Sequence, residues 1–117
     1  MFKIPFYTIL QIESVENSHT VMVQLNTTHP IYQGHFPEHA VVPGVCTLQI
    51  IKECVAKISH KELTYNTIPS CKFTSLIVPT KEPIELKLNL DDTLGCNANV
   101  LVNGSSVLKL KANFSVR

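Results

Sequence analysis

The sequence predicts an α+β fold, an antiparallel sheet of about six strands wrapped around one long central helix. Three observations carry that reading. Residues 84–90, 96–102 and 108–116 alternate apolar and polar with the two-residue period of a half-buried strand. Residues 44–59 are apolar around most of a helical circumference, so a helix there has to be enclosed. Many short strands with only one helix give an antiparallel sheet whose single apolar face covers that helix.

Residues 6–15 and 19–26 read as two strands joined at Glu16-Asn17-Ser18, a turn-prone trio. The first alternates only loosely. The second sets Val21, Val23 and Leu25 on one face. A long loop occupies 27–42, and Val42, lying before a proline, is held extended. Pro43 is read as pre-setting the first helical dihedral. The helix then runs over roughly 44–59, with Val45, Cys46, Leu48, Ile50, Ile51, Cys54, Val55, Ala56 and Ile58 as its apolar set. At about 100° per residue, Gln49, Lys52, Glu53 and Lys57 share one narrow polar stripe. Strands resume after Tyr65-Asn66-Thr67, over 68–76, with Pro79 and Pro83 bounding a turn. Asn103-Gly104-Ser105-Ser106 is a hairpin turn between the last two strands.

The 117 residues suit one domain, taken as 1–117. A net charge of +1 gives no electrostatic case for nucleic acid. No apolar run approaches the roughly 18–20 residues of a membrane span, and the start is too short and too broken by Pro5 for a signal peptide. Apolar residues make up 44 % and charged ones only 16 %, a balance that points to some surface covered by a partner or a second copy. Cys46, Cys54, Cys71 and Cys96 form no Cys-x-x-Cys pair, so they read as reduced, mostly buried thiols of a cytoplasmic protein.

The loop concentrates the chemistry. It carries His29, His35 and His39 among Pro and Gly residues and feeds the apolar helix. The three histidines match no standard zinc spacing, and no metal or cofactor is expected. His29 and His39 are read as structural or exposed, which leaves His35 as the titrating group.

Gly34-His35-Phe36-Pro37 and Val42-Pro43-Gly44-Val45, with the spacing between them, resemble the 3-hydroxyacyl-[acyl-carrier-protein] dehydratases of type II fatty acid synthesis, a hotdog-fold family. Weaker likeness continues through Cys71-Lys72-Phe73, Pro79 and Val102-Asn103-Gly104, so that it covers roughly residues 6–117. The resemblance implies conversion of a (3R)-3-hydroxyacyl thioester on acyl carrier protein to a trans-2-enoyl thioester. It implies two subunits joined sheet edge to sheet edge, with an acyl tunnel at their interface. A homodimer is expected first, with a higher oligomer or heterodimer as other forms.

By position, the resemblance makes His35 the base that takes the Cα proton. It makes the Gly44 N–H, at the helix N-terminus, the polariser of the thioester carbonyl. Phe36, Pro43 and Val45 fall in the substrate-binding set, Val45 as core or tunnel wall. The family's acid, supplied by the central helix of the other subunit, lies fourteen residues after the histidine in sequence, where this chain has Gln49. An amide can donate a hydrogen bond to a hydroxyl but gives up no proton, and general acid catalysis is worth about 10²–10⁴-fold. The expected consequence is His35 acting alone with Gln49 orienting the substrate. Glu53 lies one turn on, about 6 Å away, and Glu38 stands where the family has glycine; both are secondary candidates for the acid. Lys57, Lys72 and Lys81 are secondary candidates for carrier-protein contacts. Two other functions stay open, a non-catalytic subunit of a heteromeric complex and a hotdog acyl thioesterase.

Overall fold

The computed structural model describes residues 6–30 and 41–117. In chain order the elements are β1 (Tyr7–Val15), β2 (Ser18–Leu25), α1 (Gly44–Ser59), β3 (Leu63–Phe73), β4 (Ile84–Leu90), β5 (Gly95–Val102) and β6 (Ser105–Val116). The strands form a single antiparallel sheet in the order β1-β2-β4-β5-β6-β3. The α+β architecture read from the sequence is therefore present, and α1 has the expected limits.

The core lies between α1 and one face of the sheet. Ile50, Ile51, Cys54 and Val55 of the helix pack in one cluster with Val21, Val23, Leu86, Leu88, Ala98, Val100, Leu108 and Leu110. These are the residues that alternation assigned to the inner face. The loose alternation of β1 also has a cause. A register shift between Ile9 and Gln11 turns Tyr7 and Ile9 inward before it and Ile12 inward after it, and leaves Leu10 exposed. In the β5–β6 hairpin, Asn103 and Gly104 both have positive φ, at 52° and 79°. A two-residue type I′ turn needs that, and Asn-Gly supplies it cheaply.

Both edges of the sheet are tied to the same helix. The Tyr7 hydroxyl on β1 donates to Glu53 Oε1 at 2.6 Å. The Tyr65 hydroxyl on β3 donates to the Leu48 carbonyl at 2.7 Å. Tyr65 also stacks, tilted, on Phe114 with centroids 4.7 Å apart.

Three expectations need correction. First, β3 starts at Leu63 rather than after Tyr65-Asn66-Thr67 and stops at Phe73. Its pairing with β6 shifts twice, around Thr67 and again before Ser70, which accommodates Pro69 on an edge strand. Second, Pro43 is the residue before the helix, not its first turn. Its ψ of 140° is extended, and its carbonyl accepts from the Cys46 and Thr47 N–H groups. Third, Val45 is no core residue, being 74 % exposed, whereas Thr47 is buried at 4 %. A helix that rotates its i, i+3, i+4 face inward from Cys46 necessarily turns position 45 outward.

Substituting the fully buried Ile51 with alanine is expected to cost about 2–5 kcal/mol. The same change at the exposed Val15 stays within about 0.5 kcal/mol. Urea unfolding midpoints check both.

Candidate active site

The helix N-terminus is the first component. An α-helix leaves its first N–H groups without intrahelical partners. Among the described residues no side chain caps them, and no acidic residue sits in the first turn. The positive dipole end at Gly44 is the kind of place that favours a ligand oxygen. A Cβ added at Gly44 would lie 3.2 Å from Phe73 Cζ, so glycine lets the ring at the end of β3 close over the helix start. Phe73 itself is 43 % exposed, and Val45 turns outward.

The second component is the polar stripe. Gln49, Lys52 and Glu53 are half-buried and Lys57 is exposed. Gln49 Nε2 donates to Glu53 Oε2 at 2.8 Å, while Tyr7 Oη donates to the other carboxylate oxygen. One carboxylate therefore takes a donor on each oxygen. Burial, and the hydrogen bond to Glu53, push the Tyr7 phenol well above its ordinary value. An open groove runs beside the stripe toward Glu62, Leu63 and Arg117 at the start of β3 and the end of the chain.

Among the residues singled out in the sequence, Pro43, Gly44, Val45 and Gln49 are described, and all four lie on α1 or at its entrance. Gly34, His35, Phe36, Pro37, Glu38 and His39 lie outside the described residues. His29 packs edge-on against Phe6 at 5.2 Å between centroids, in keeping with a structural role. Lys57, Lys72 and Lys81 are all exposed. Tyr7 and Phe73 escaped the sequence reading. Only the inward register of an edge-strand tyrosine, and an aromatic at a strand end opposite Pro-Gly, could have pointed to them.

Cys46, Cys54 and Cys96 are buried free thiols and Cys71 is exposed. Burial pushes Cys54 and Cys96 up to about 12, which keeps them protonated and inert. Thr47 Oγ1 is buried without a hydrogen-bond partner among the described residues, against an apolar wall that includes Val42, Ile50 and Ile77.

The chain is similar to known dehydratases. A family model described as ApeI-like, ApeI dehydratase, matches residues 11–101. The 3-hydroxyacyl-[acyl-carrier-protein] dehydratase FabZ of Macrococcus caseolyticus is 32 % identical over 84 residues, covering 64 % of this chain and 58 % of that protein. FabZ of Staphylococcus aureus is 25 % identical over 126 aligned positions, covering 97 % of this chain and 86 % of the relative. The chain thus matches under two thirds of the Macrococcus relative's length, and the same 58 % holds for FabZ of Rhodopseudomonas palustris. Among solved structures, a chain of the dehydratase heterocomplex ApeI:P from Xenorhabdus doucetiae superposes with a TM-score of 0.80 at 18 % identity, covering 94 % of this chain and 97 % of that one. A protein from Erwinia carotovora follows at 0.69 and 17 %, with 93 % of each chain covered. Among the described residues, no helix is long and apolar enough to cross a membrane.

The raised Tyr7 pKa has a signed consequence. The folded state holds the phenolic proton more tightly than the unfolded one. The resulting stability is complete below the ordinary value of 10.0 and is lost as pH rises beyond it. Tyr7→Phe is expected to show a shallower fall in urea midpoint between about pH 9 and 11. Identical slopes in the two proteins would contradict the assignment.

Proposed function

The chain belongs to the ApeI-like dehydratase family, and on that footing we propose that it is a hotdog-fold 3-hydroxyacyl-[acyl-carrier-protein] dehydratase, of fatty acid synthesis or a related polyketide or polyene pathway. Residues 1–117 act as one domain in this reading, with the sheet wrapped around α1. The observation that carries it is the sequence motif Gly34-His35-Phe36-Pro37 upstream of Gly44, whose helix N-terminus has no side-chain cap among the described residues.

The proposed reaction balances with one titrating side chain. The His35 imidazole takes the Cα proton, and the electron pair moves toward the thioester carbonyl. The oxygen of that carbonyl meets the Gly44 N–H, whose dipole end favours the developing charge. As the carbonyl re-forms, the Cβ–O bond breaks, and His35 returns the proton to the departing oxygen as water forms. Gln49 binds the hydroxyl. Phe36, Pro43 and Val45 line the acyl path, and no cofactor takes part.

A second copy completes the site in this reading. β3 is an edge strand, and Cys71 and Phe73 pair in register with Leu110 and Leu108, the core-facing residues of β6. They face inward yet stay exposed. Leu76 and Val78 beyond them are exposed as well. A partner joined along β3 covers this apolar strip and turns the helix N-terminus into a tunnel wall. The free thiols suit a reducing compartment, here proposed as the cytoplasm.

A second reading is favoured by one residue. Gln49 stands where the family has its acid, so the chain can be the non-catalytic partner in a pair, as the likeness to a chain of a dehydratase heterocomplex allows.

Hydration of a trans-2-enoyl thioester separates the two. His35→Ala is expected to lower the rate of the purified chain about 10²–10⁴-fold with unchanged circular dichroism. Equal rates would sink the enzymatic reading, and activity gained only with a second dehydratase-like chain would establish the other. The dimer predicts that Cys71 resists a thiol reagent in the native protein and reacts in Phe73→Lys, with a matching halving of mass in light scattering.

A further inference from the structure

The sequence leaves Gln49 as a departure and Glu53 as a secondary candidate for the acid; the structure joins them. A carboxylate only accepts hydrogen bonds, whereas an amide has one donating and one accepting end. Contact between Gln49 and Glu53 at 2.8 Å therefore fixes which end of Gln49 faces the helix neighbour. The NH₂ must point to Glu53, and the carbonyl oxygen must point away from it. Glu53 cannot turn aside to release this constraint, because Tyr7 holds its other oxygen at 2.6 Å from the edge strand. Gln49 and Glu53 are both half-buried, beside the groove that ends at Arg117.

We infer that Glu53, clamped by Tyr7, is a positioning residue that locks the Gln49 amide with its carbonyl oxygen free, so that Gln49 meets the substrate 3-hydroxyl as a hydrogen-bond acceptor. This rests on the dehydratase reading and deepens it. The hydroxyl donates its own hydrogen to Gln49, and its lone pairs stay open to the proton that His35 delivers. An amide presented the other way would take one of those lone pairs and compete with the incoming proton. Glu53 touches no substrate in this account; it acts through Gln49.

The inference makes an asymmetric kinetic prediction for Glu53→Gln. The 3-hydroxyacyl thioester has the hydroxyl, so losing the locked acceptor weakens both its binding and the transition state. In the dehydration direction, KM is expected to rise about tenfold with kcat little changed. The enoyl thioester has no hydroxyl. In the hydration direction its KM is expected to stay constant while kcat falls by the same factor, as the fixed overall equilibrium requires. Tyr7→Phe retains the Gln49 bond and is expected to show the same pattern more weakly. A parallel rise of both KM values, or no change in either direction, would overturn the inference.

A second readout needs no turnover. In ¹⁵N-labelled protein, the Gln49 side-chain NH₂ resonance is expected to shift in Glu53→Gln while the backbone amides of β4–β6 stay in place. An unmoved NH₂ resonance would refute the lock. If the native chain turned over no thioester while this resonance moved, the dehydratase reading would fall and the Glu53–Gln49 lock would stand.

Discussion

Enclosure of α1 is the constraint on which the rest depends. A 16-residue helix with Ile51, Cys54 and Val55 at 0 % exposure cannot stand on one flat face. At about 25 cal/mol per Å² of apolar surface removed from water, covering it from several sides is a dominant stabilising term. β2, β4, β5 and β6 supply the floor. The edges then close through Tyr7 and Tyr65, whose rings bring apolar surface and whose hydroxyls satisfy groups on the helix. This closure decides where chemistry can occur. Among the described residues, the polar stripe and the N-terminal end of α1 are left less covered, and these hold Gln49, Glu53 and Gly44.

Periodicity made the interior legible. The alternation of β4, β5 and β6 is strict because each has one face on α1, and so their inward residues were readable before any coordinates. α1 was legible for the complementary reason, since a broad apolar arc with one polar stripe fits no other element. The failures sit at edges and ends. β3 has exposed residues at most positions, so its pattern carries no core signal, and Tyr65-Asn66-Thr67 resembles a turn by composition. Pro43 and Val45 were misplaced because a proline at a helix entrance fits two adjacent positions, which differ only in ψ. His35 was readable as a motif, while its relation to Gln49 was not. Neither spacing nor periodicity says which end of an amide faces its neighbour.

Edge strands normally invite indiscriminate pairing, and β3 restrains it. Pro69 withholds a backbone donor, two register shifts bend the strand, and Lys72 places a charge near its end. What stays open is short: Cys71, Phe73 and the apolar residues just beyond. The proposed interface on that strip would lie directly against Gly44, because the Phe73 ring is the nearest neighbour a Cβ there would meet. In that reading, association along β3 and formation of the acyl path would be one geometric event.

The same economy explains the pairing at positions 49 and 53. Two carboxylates one helical turn apart and within hydrogen-bond reach would repel, and one would have to stay protonated. An amide at 49 removes that conflict and turns the neighbouring charge into an acceptor for its NH₂. In the proposed site the arrangement gives up a proton donor and gains a fixed acceptor. In the proposed mechanism His35 is the one proton carrier, so the direction of every hydrogen bond around the substrate hydroxyl matters more. Orientation at Gln49 would then take over part of what proton transfer does elsewhere, and it would depend on Tyr7 at the far edge of the sheet.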